Sequence, residues 1–250
     1  NFLIGTIDFE ETPESGLLGP KTYNAAFLIG PDGNIKSKYY KIHIVPFGEF
    51  VPWSDCFPIL AKWIGMGRGL SRGTSFEPLE IAPGIRAGVN ICFEDVYPYV
   101  SRKETRAGAN MLLVITNDAW YPRTSEPEQH LANSVFRAVE NRRPMLRCGN
   151  NGTSVLIMPD GRITDSISTR YDDRLGKNVP DTKAREAGAS VIQVPVATNP
   201  PMTFYTMFGD IFILCCWVVF GIPLAYCVMK WRQHKLSLLD PFANPTQAKP

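Results

Sequence analysis

Apolar and polar positions along the chain fall into short blocks of strand and helix character. Phe2 to Ile7 reads as a strand, and Tyr23 to Ile29 as a second. The second runs into Gly30-Pro31-Asp32-Gly33, a turn, and the chain returns through Asn34 to Tyr40. Residues 154 to 163, SVLIMPDGRI, repeat that design, so AFLIGPDGNI and SVLIMPDGRI form a weak internal echo that shared turn chemistry alone can produce. A strand ends over Gly88 to Cys92, and Tyr97 to Ala107 has a helical pattern. Asn110 to Thr116 is a near-continuous apolar run, as expected of a strand covered on both faces. Residues 86 to 116 thus form a βαβ-like unit. Glu126 to Arg142 is predicted helical, with Leu131, Val135 and Val139 at four-residue spacing and Pro144 ending it. Ser190 to Val196 is predicted as the last strand. The pattern is that of a layered α/β or α+β domain in which hairpins join parallel units.

The C-terminal pattern is different. Ile211 to Met229 holds no charged side chain across 19 positions, roughly 28 Å of helix. Gly221 and Pro223 lie within it, which membrane helices tolerate better than soluble ones. Tyr205, Phe208 and Trp231 stand near its ends, and Lys230, Arg232, His234 and Lys235 follow at once, which predicts that this end is cytoplasmic. The competing reading, a buried core helix, requires a polar face that the run lacks. The expected division is a domain over 1–200, a transmembrane helix over 208–230 and a cytoplasmic tail over 231–250, its end DPFANPTQAKP being disordered.

Composition narrows the functional classes. The chain has 250 residues, 44% hydrophobic and 20% charged, enough for a globular core. A net charge of +2, without a dense basic block, argues against nucleic acid as a partner. None of the six cysteines pairs as C-x-x-C, and no His/Cys cluster has zinc spacing, so neither a disulfide framework nor a metal centre is expected. Cys56 and Cys148 read as small buried hydrophobes. The first residue is Asn1 rather than Met, and no signal-like segment precedes the first strand; the chain is expected to start inside a longer protein.

Two stretches carry candidate chemistry. In ICFED, residues 91–95, Cys92 closes a strand beside Glu94 and Asp95. Strand ends that feed helices present functional groups, and backbone N–H groups at such a turn can stabilise an oxyanion. A cysteine there can hold an acyl group as a thioester. Taken alone, such a cysteine is more often inert packing. His43, His130 and His234 are the histidines available as a base; the last lies beyond the apolar run, and neither of the others is excluded. The second stretch, YKIHIVPFGEFVP, places Lys41 at a strand end and Glu49 eight residues on. An ammonium can lower a thiol pKa and steady a tetrahedral oxyanion, and a carboxylate can hold the ammonium in place. A solvated loop pair is the plainer reading of either residue.

Taken in order and spacing, K-x-H-x-V-P-F-G-E-F-V-P, N-I-C-F-E-D, T-N-D-A-W-Y, F-R-A-V-E-N-R-R-P-M-L-R and N-N-G-T-S resemble the nitrilase superfamily. The membrane-bound lipoprotein N-acyltransferase branch fits best, because soluble nitrilases lack both the H-x-V-P-F-G-E-F-V-P continuation and a terminal span. The resemblance runs from about residue 2 to about residue 230. It implies an α+β fold, an αββα sandwich followed by one C-terminal transmembrane helix, and a Glu-Lys-Cys triad. Cys92 matches the nucleophile and Lys41 the lysine that steadies the tetrahedral intermediate. Glu49 matches a supporting glutamate, and Glu94 a glutamate beside the nucleophile. Phe93 stands where the family pattern has Tyr. The pattern's general-base glutamate falls ahead of Asn1; Glu10 and Glu11 do not match its place.

The implied reaction needs no cofactor. A phospholipid donates an acyl chain to Cys92, and the thioester passes it to the α-amine of a diacylated apolipoprotein. The implied setting is the bacterial inner membrane, with the domain on the periplasmic side and the C-terminus in the cytoplasm. Trp53 to Gly73, WSDCFPILAKWIGMGRGLSRG, reads either as a core-packed loop or as a lid dipping into lipid. Trp120 and Tyr121 line the same cleft or pack in the core. A membrane-tethered amidase and a non-catalytic lipid- or protein-binding remnant remain as alternatives.

Overall fold

Two larger sheets and one two-stranded sheet result from the strand patterns of the described residues. In the computed structural model the described residues are 1–11, 20–53, 59, 63, 69–120, 124–150, 152–167, 169–172, 174–175, 177–181 and 188–239. Strands β1 (Phe2–Glu10), β2 (Lys21–Ile29) and β3 (Ile35–Tyr40) form an antiparallel sheet in that order. The second sheet has six strands in sequential order: β4 (Leu79–Ala82), β5 (Ile85–Ile91), β6 (Met111–Thr116), β7 (Met145–Gly149), β8 (Val155–Ile157) and β9 (Ile163–Ser166). Its centre, β5-β6-β7, is parallel, and both flanks are antiparallel. A small hairpin pairs β10 (Thr169–Asp172) with β11 (Lys177–Pro180).

Helix α1 (Pro98–Arg106) is the crossover between β5 and β6, and α2 (Glu126–Asn141) the crossover between β6 and β7. Both parallel connections therefore carry helices, as parallel pairing requires. One apolar cluster lies between the sheets, joining Ala26, Leu28 and Tyr39 to Val89, Ile91, Met111 and Leu113. A second lies on the other face of the larger sheet, where Leu131 and Ala138 of α2 meet Leu112, Val114, Met145 and Ile157. Alternate residues of β6 feed alternate clusters, so its continuous apolar run is explained by cover on both faces.

Both Pro-Asp-Gly segments make the same turn. Gly33 donates to the Gly30 carbonyl at 3.0 Å, and Gly161 to the Met158 carbonyl at 2.8 Å, each with φ positive at 80° and 88°. That left-handed conformation suits glycine, which has no Cβ to clash. The predicted strand over Ser190–Val196 is not found; these residues make no ladder, although Val194 and Val196 pack against the inter-sheet cluster.

Residues 200–207 are bound to the domain through four main-chain carbonyls and through the hydroxyls of Thr203 and Thr206, which donate to the Glu140 carbonyl at 2.6 Å and to Asn141 Oδ1 at 3.1 Å. The Arg143 guanidinium donates to the Pro200 and Pro201 carbonyls at 3.2 and 3.1 Å. Arg102 donates to those of Tyr205 and Met207, both at 3.0 Å. The segment ends in the short helix α3 (Phe204–Phe208). Asn1–Met207 is one compact unit and Phe208–Pro250 another. The latter holds α4 (Ile211–Leu239), uncharged over residues 211–229, basic after them, and long and apolar enough to cross a membrane. None of its apolar window is buried, which removes the core-helix reading. Residues 240–250 of the expected tail lie outside the described residues.

Candidate active site

Registers at the C-terminal ends of the parallel strands decide what meets what. Ile91 pairs with Ile115, and Thr116 with Gly149, so Cys92, Thr116 and Cys148 come to the same edge of the sheet. Cys92 is the first residue of a 3-10 turn, Cys92–Val96, with φ at +54°. Holding a non-glycine residue there costs about 1–3 kcal/mol, and such strain persists only where the surroundings fix it. The turn lifts the side chain out of the strand's alternation and into a cleft of about 1160 Å³, whose walls include Asn24, Glu49, Thr116, Trp120 and Cys148. Burial pushes the Cys92 thiol up; the Thr116 hydroxyl, the Lys41 charge and the Phe93 N–H pull against it, and the net result stays above the ordinary value.

Lys41 follows β3 directly, and its side chain is fully buried. Its Nζ donates to Oε1 and Oε2 of Glu49 at 2.7 and 2.8 Å. The Val45 N–H donates to Glu49 Oε2 at 2.8 Å, closing the Val45–Glu49 turn around the carboxylate. A buried ammonium requires such a partner.

Glu94 is fully buried. Its Oε1 accepts the N–H groups of Ile42 and His43 at 2.7 and 2.9 Å, and its Oε2 accepts that of Ile91 at 2.8 Å. The Tyr39 hydroxyl lies 3.1 Å from both oxygens. One carboxyl thus ties the loop after Lys41 to the turn that carries Cys92. Burial raises its pKa to about 7 against the opposing pull of the three N–H groups. With Glu49 committed to Lys41 and Glu94 to these donors, neither is free to act as a general base.

The histidines take other roles. The His43 ring stacks on Tyr97 at 3.4 Å, and its Nδ1 meets the Tyr99 hydroxyl at 2.9 Å. His130 is buried, with Nε2 2.7 Å from Asp95 Oδ1 and Nδ1 3.1 Å from Asp118 Oδ1. Burial alone would lower its pKa, but these carboxylates outweigh it and raise the value to about 9. Both ring nitrogens are engaged by these carboxylates and the ring does not line the cleft, which argues against His130 as the base. Asp118, Glu126 and His130 have ligand-type atoms within 4.8 Å of one another. Arg147, however, lies 2.9 Å from both Asp118 Oδ2 and His130 Nδ1, and its positive charge opposes a cation there.

Of the remaining predicted residues, Phe93 stacks on His130, with centroids 4.9 Å apart. Trp120 is 78% exposed at the cleft rim, so the core reading fails for it. Tyr121 lies outside the described residues, as does most of Trp53–Gly73; within that stretch Trp53, Ile59 and Trp63 are exposed rather than core-packed. Cys148, expected to be buried, is exposed on the cleft wall, because β7 ends there and its side chain faces the opening. Sequence reasoning did not assign Asp95, Asp118 and Arg147; Asp118 stood within the quoted T-N-D-A-W-Y run, but its partners are 12 and 29 residues away.

Comparison with known proteins identifies the family. Residues 2–172 match the carbon-nitrogen hydrolase family. The apolipoprotein N-acyltransferase of Geobacter metallireducens is 34% identical over 214 residues, 86% of this chain and 37% of that protein. Apolipoprotein N-acyltransferase 1 of Treponema pallidum is 37% identical over 186 residues, 72% of this chain and 34% of its own. The chain spans about a third of the length of these curated relatives. Among solved structures, the carbon-nitrogen hydrolase of Helicobacter pylori G27 aligns at 18% identity over 66% of this chain and 58% of its own, with a TM-score of 0.48. The family match takes in β3, the Lys41–Glu49 loop and the Cys92 turn together, and the chain belongs to the carbon-nitrogen hydrolase family.

Proposed function

We propose that the protein to which this chain belongs is an apolipoprotein N-acyltransferase with Cys92 as nucleophile, Lys41 as the cation for the oxyanion and Glu49 as its holder. The observation that carries the reading is the convergence of Cys92 and Glu49 on one cleft, with the ammonium of Lys41 bound to Glu49 behind it. The named relatives at 34% and 37% identity supply the substrate class.

The reaction has two halves. The Cys92 thiol gives its proton to a general base and attacks the ester carbonyl of a phospholipid. Negative charge gathers on the carbonyl oxygen, where the Lys41 charge steadies it. The C–O bond breaks, and a lysophospholipid leaves with a proton on its oxygen. The α-amine of an S-diacylglyceryl cysteine then attacks the thioester. The C–S bond breaks, an amide forms, and the amine's proton restores the thiol.

Both substrates are lipid-anchored, so the cleft must open at a bilayer surface. Exposed Trp53, Trp63 and Trp120 suit an interfacial position. We place the protein in the bacterial inner membrane, the Asn1–Met207 unit on the periplasmic side and the basic end of α4 in the cytoplasm.

The test uses the complete protein in phospholipid vesicles with a synthetic S-diacylglyceryl cysteine peptide, read by mass spectrometry. The expected result is one acyl chain added at the α-amine, and none with Cys92→Ala. Acylation by the Cys92→Ala protein overturns the mechanism. Ammonia release from small amides without acyl transfer assigns the chain to amidase chemistry instead.

A further inference from the structure

Behind the nucleophile lies a closed ionic cluster that the proposed chemistry does not use. Asp95, Asp118, His130 and Arg147 are all buried. Arg147 donates from Nη1 to Asp95 Oδ2 at 3.1 Å and from Nη2 to Asp118 Oδ2 at 2.9 Å. His130 bridges the same two carboxylates through their other oxygens. The 2.9 Å approach of Arg147 Nη2 to His130 Nδ1 follows from that arrangement, since both nitrogens donate to one carboxylate. Two carboxylates and two cations make the cluster neutral when His130 is protonated. Thr116 and Ser134 hydroxyls donate to Asp118 and Asp95, and Arg137 donates to the Asp95 carbonyl. Glu126 Oε1 faces the ring at 3.7 Å from the helix that carries it.

Two contacts join this cluster to the reacting residue. His130 Nε2 lies 3.3 Å from the Cys92 carbonyl oxygen, shared with the 2.7 Å bond to Asp95. The face of the ring covers Phe93, the next residue of the turn, at an interplanar angle of 18°. Cys92 is held in the left-handed region, which a non-glycine residue leaves unless its peptide groups are fixed. Its carbonyl sets the orientation of the following peptide, and hence where Sγ points.

We propose that His130 is a positioning residue for the nucleophile: its Nε2–H braces the Cys92 carbonyl and its ring clamps Phe93, holding the strained turn that aims the thiol into the cleft. The cluster of Asp95, Asp118 and Arg147 fixes the ring in that place. The inference rests on Cys92 being the nucleophile and on nothing about the acyl donor or acceptor.

The test reads the thiol without either lipid substrate. The full chain in detergent micelles is alkylated with iodoacetamide, and the Cys92 peptide is followed by mass spectrometry, separately from Cys148 and the other thiols. Two variants divide the imidazole. His130→Gln keeps a donor near the Nε2 position, and His130→Asn keeps one near Nδ1. The expected result is a tenfold or greater slowing of Cys92 alkylation in the Asn variant, with the Gln variant within threefold of the unaltered chain and Cys148 unaffected in both. Equal rates at Cys92 in all three proteins overturn the inference, as does equal slowing in both variants. Should the variants fail to fold, ring ¹⁵N resonances in the unaltered chain give the second reading. Alkylating Cys92 is expected to shift the His130 signals and leave those of His43 and His234; unmoved His130 signals overturn the inference. A Cys92 inert in the unaltered chain defeats the proposed function as well, whereas a reactive Cys92 indifferent to position 130 defeats this inference alone.

Discussion

The Lys41 ammonium reaches both oxygens of Glu49, at 2.7 and 2.8 Å, while Lys41 is wholly buried and the Glu49 side chain keeps 18% of its surface. The two partners are therefore unequal. Removing Glu49 strands a buried charge, whereas removing Lys41 leaves a carboxylate that water can reach. Glu49→Ala is expected to cost about 3–5 kcal/mol of stability, and Lys41→Met markedly less, by denaturant titration. Activity should divide the other way: Lys41→Met loses about 100-fold or more in acyl transfer, as expected for loss of an oxyanion partner.

The Cys92 thiol is raised by burial, and Lys41 is one of the influences that restrain the rise. Its alkylation rate in the unaltered chain should climb with pH to a midpoint above that of free cysteine. Lys41→Met should move the midpoint higher still. A midpoint below that of free cysteine would show that the ammonium, not burial, dominates.

Glu94 accepts three backbone N–H groups that nothing else would satisfy after its removal. Each orphaned donor costs about 1–3 kcal/mol. Glu94→Ala should therefore lower stability by several kcal/mol and release both the Lys41 loop and the Cys92 turn. Glu94→Gln should do less harm, because an amide oxygen at the Oε1 position keeps the bonds from Ile42 and His43 and loses only that from Ile91. Amide hydrogen exchange at 42, 43 and 91 separates these outcomes.

Several buried groups set how stability depends on pH; Glu104, also lifted by burial, acts in the same sense as Glu94. Glu94, lifted from an ordinary 4.5 to about 7, favours the fold while protonated; that contribution is complete below pH 4.5 and fades as pH rises through 7. His130, lifted from 6.5 to about 9, contributes fully below pH 6.5 and loses this as pH rises through 9. In Asp118, burial is outweighed by the His130 bond, the Arg147 charge and the Thr116 hydroxyl, which lower it from 3.8 to about 2; its contribution is complete above pH 3.8 and fades as pH falls through 2. Thermal melts of the chain in detergent should show greatest stability near pH 4 and a two-step decline toward pH 9, on the order of a few kcal/mol in all. Asp118→Asn should shrink the acid limb of that curve, the rest of which Asp8, held low by Lys38 and Tyr40, continues to supply.

Trp120 is exposed at the rim of the cleft. Trp120→Ala should leave the melting temperature unchanged, since exposed substitutions stay within about 0.5 kcal/mol. With α4 holding the chain in phospholipid vesicles, brominated acyl chains should quench the tryptophan fluorescence of the unaltered chain by a larger amount than that of Trp120→Ala. An equal loss of fluorescence in the two proteins would remove this residue from any lipid contact.

The parts of the fold legible in sequence are those fixed by local chemistry. Gly33 and Gly161 announce their turns because few other residues accept that φ. The β5-α1-β6 unit shows itself because β6 is covered on both faces. Residues 190–196 misled because alternating Val and Ile report which side packs, not whether a neighbouring strand supplies hydrogen bonds. Strand β7 escaped because Arg147 interrupts its apolar run, yet that arginine is buried against two carboxylates. Cys92, Lys41 and Glu49 were legible through a familiar pattern of residues. His130 was visible only as a possible base, since its partners at 95, 118 and 147 are brought to it by the parallel strand register, which no short stretch of sequence encodes.

Arg102 and Arg143 grip residues 200–207 by carbonyl oxygens alone, at Pro200, Pro201, Tyr205 and Met207. Every amino acid supplies such an oxygen, so these four bonds are indifferent to the side chains at 200, 201, 205 and 207. Thr203 and Thr206 differ: their hydroxyls donate to the Glu140 carbonyl at 2.6 Å and to Asn141 Oδ1 at 3.1 Å, and that hold depends on the side chain. The stretch leading to α4 is thus free to change its wording in evolution at the first four positions, while the two arginines and the two threonines cannot drift.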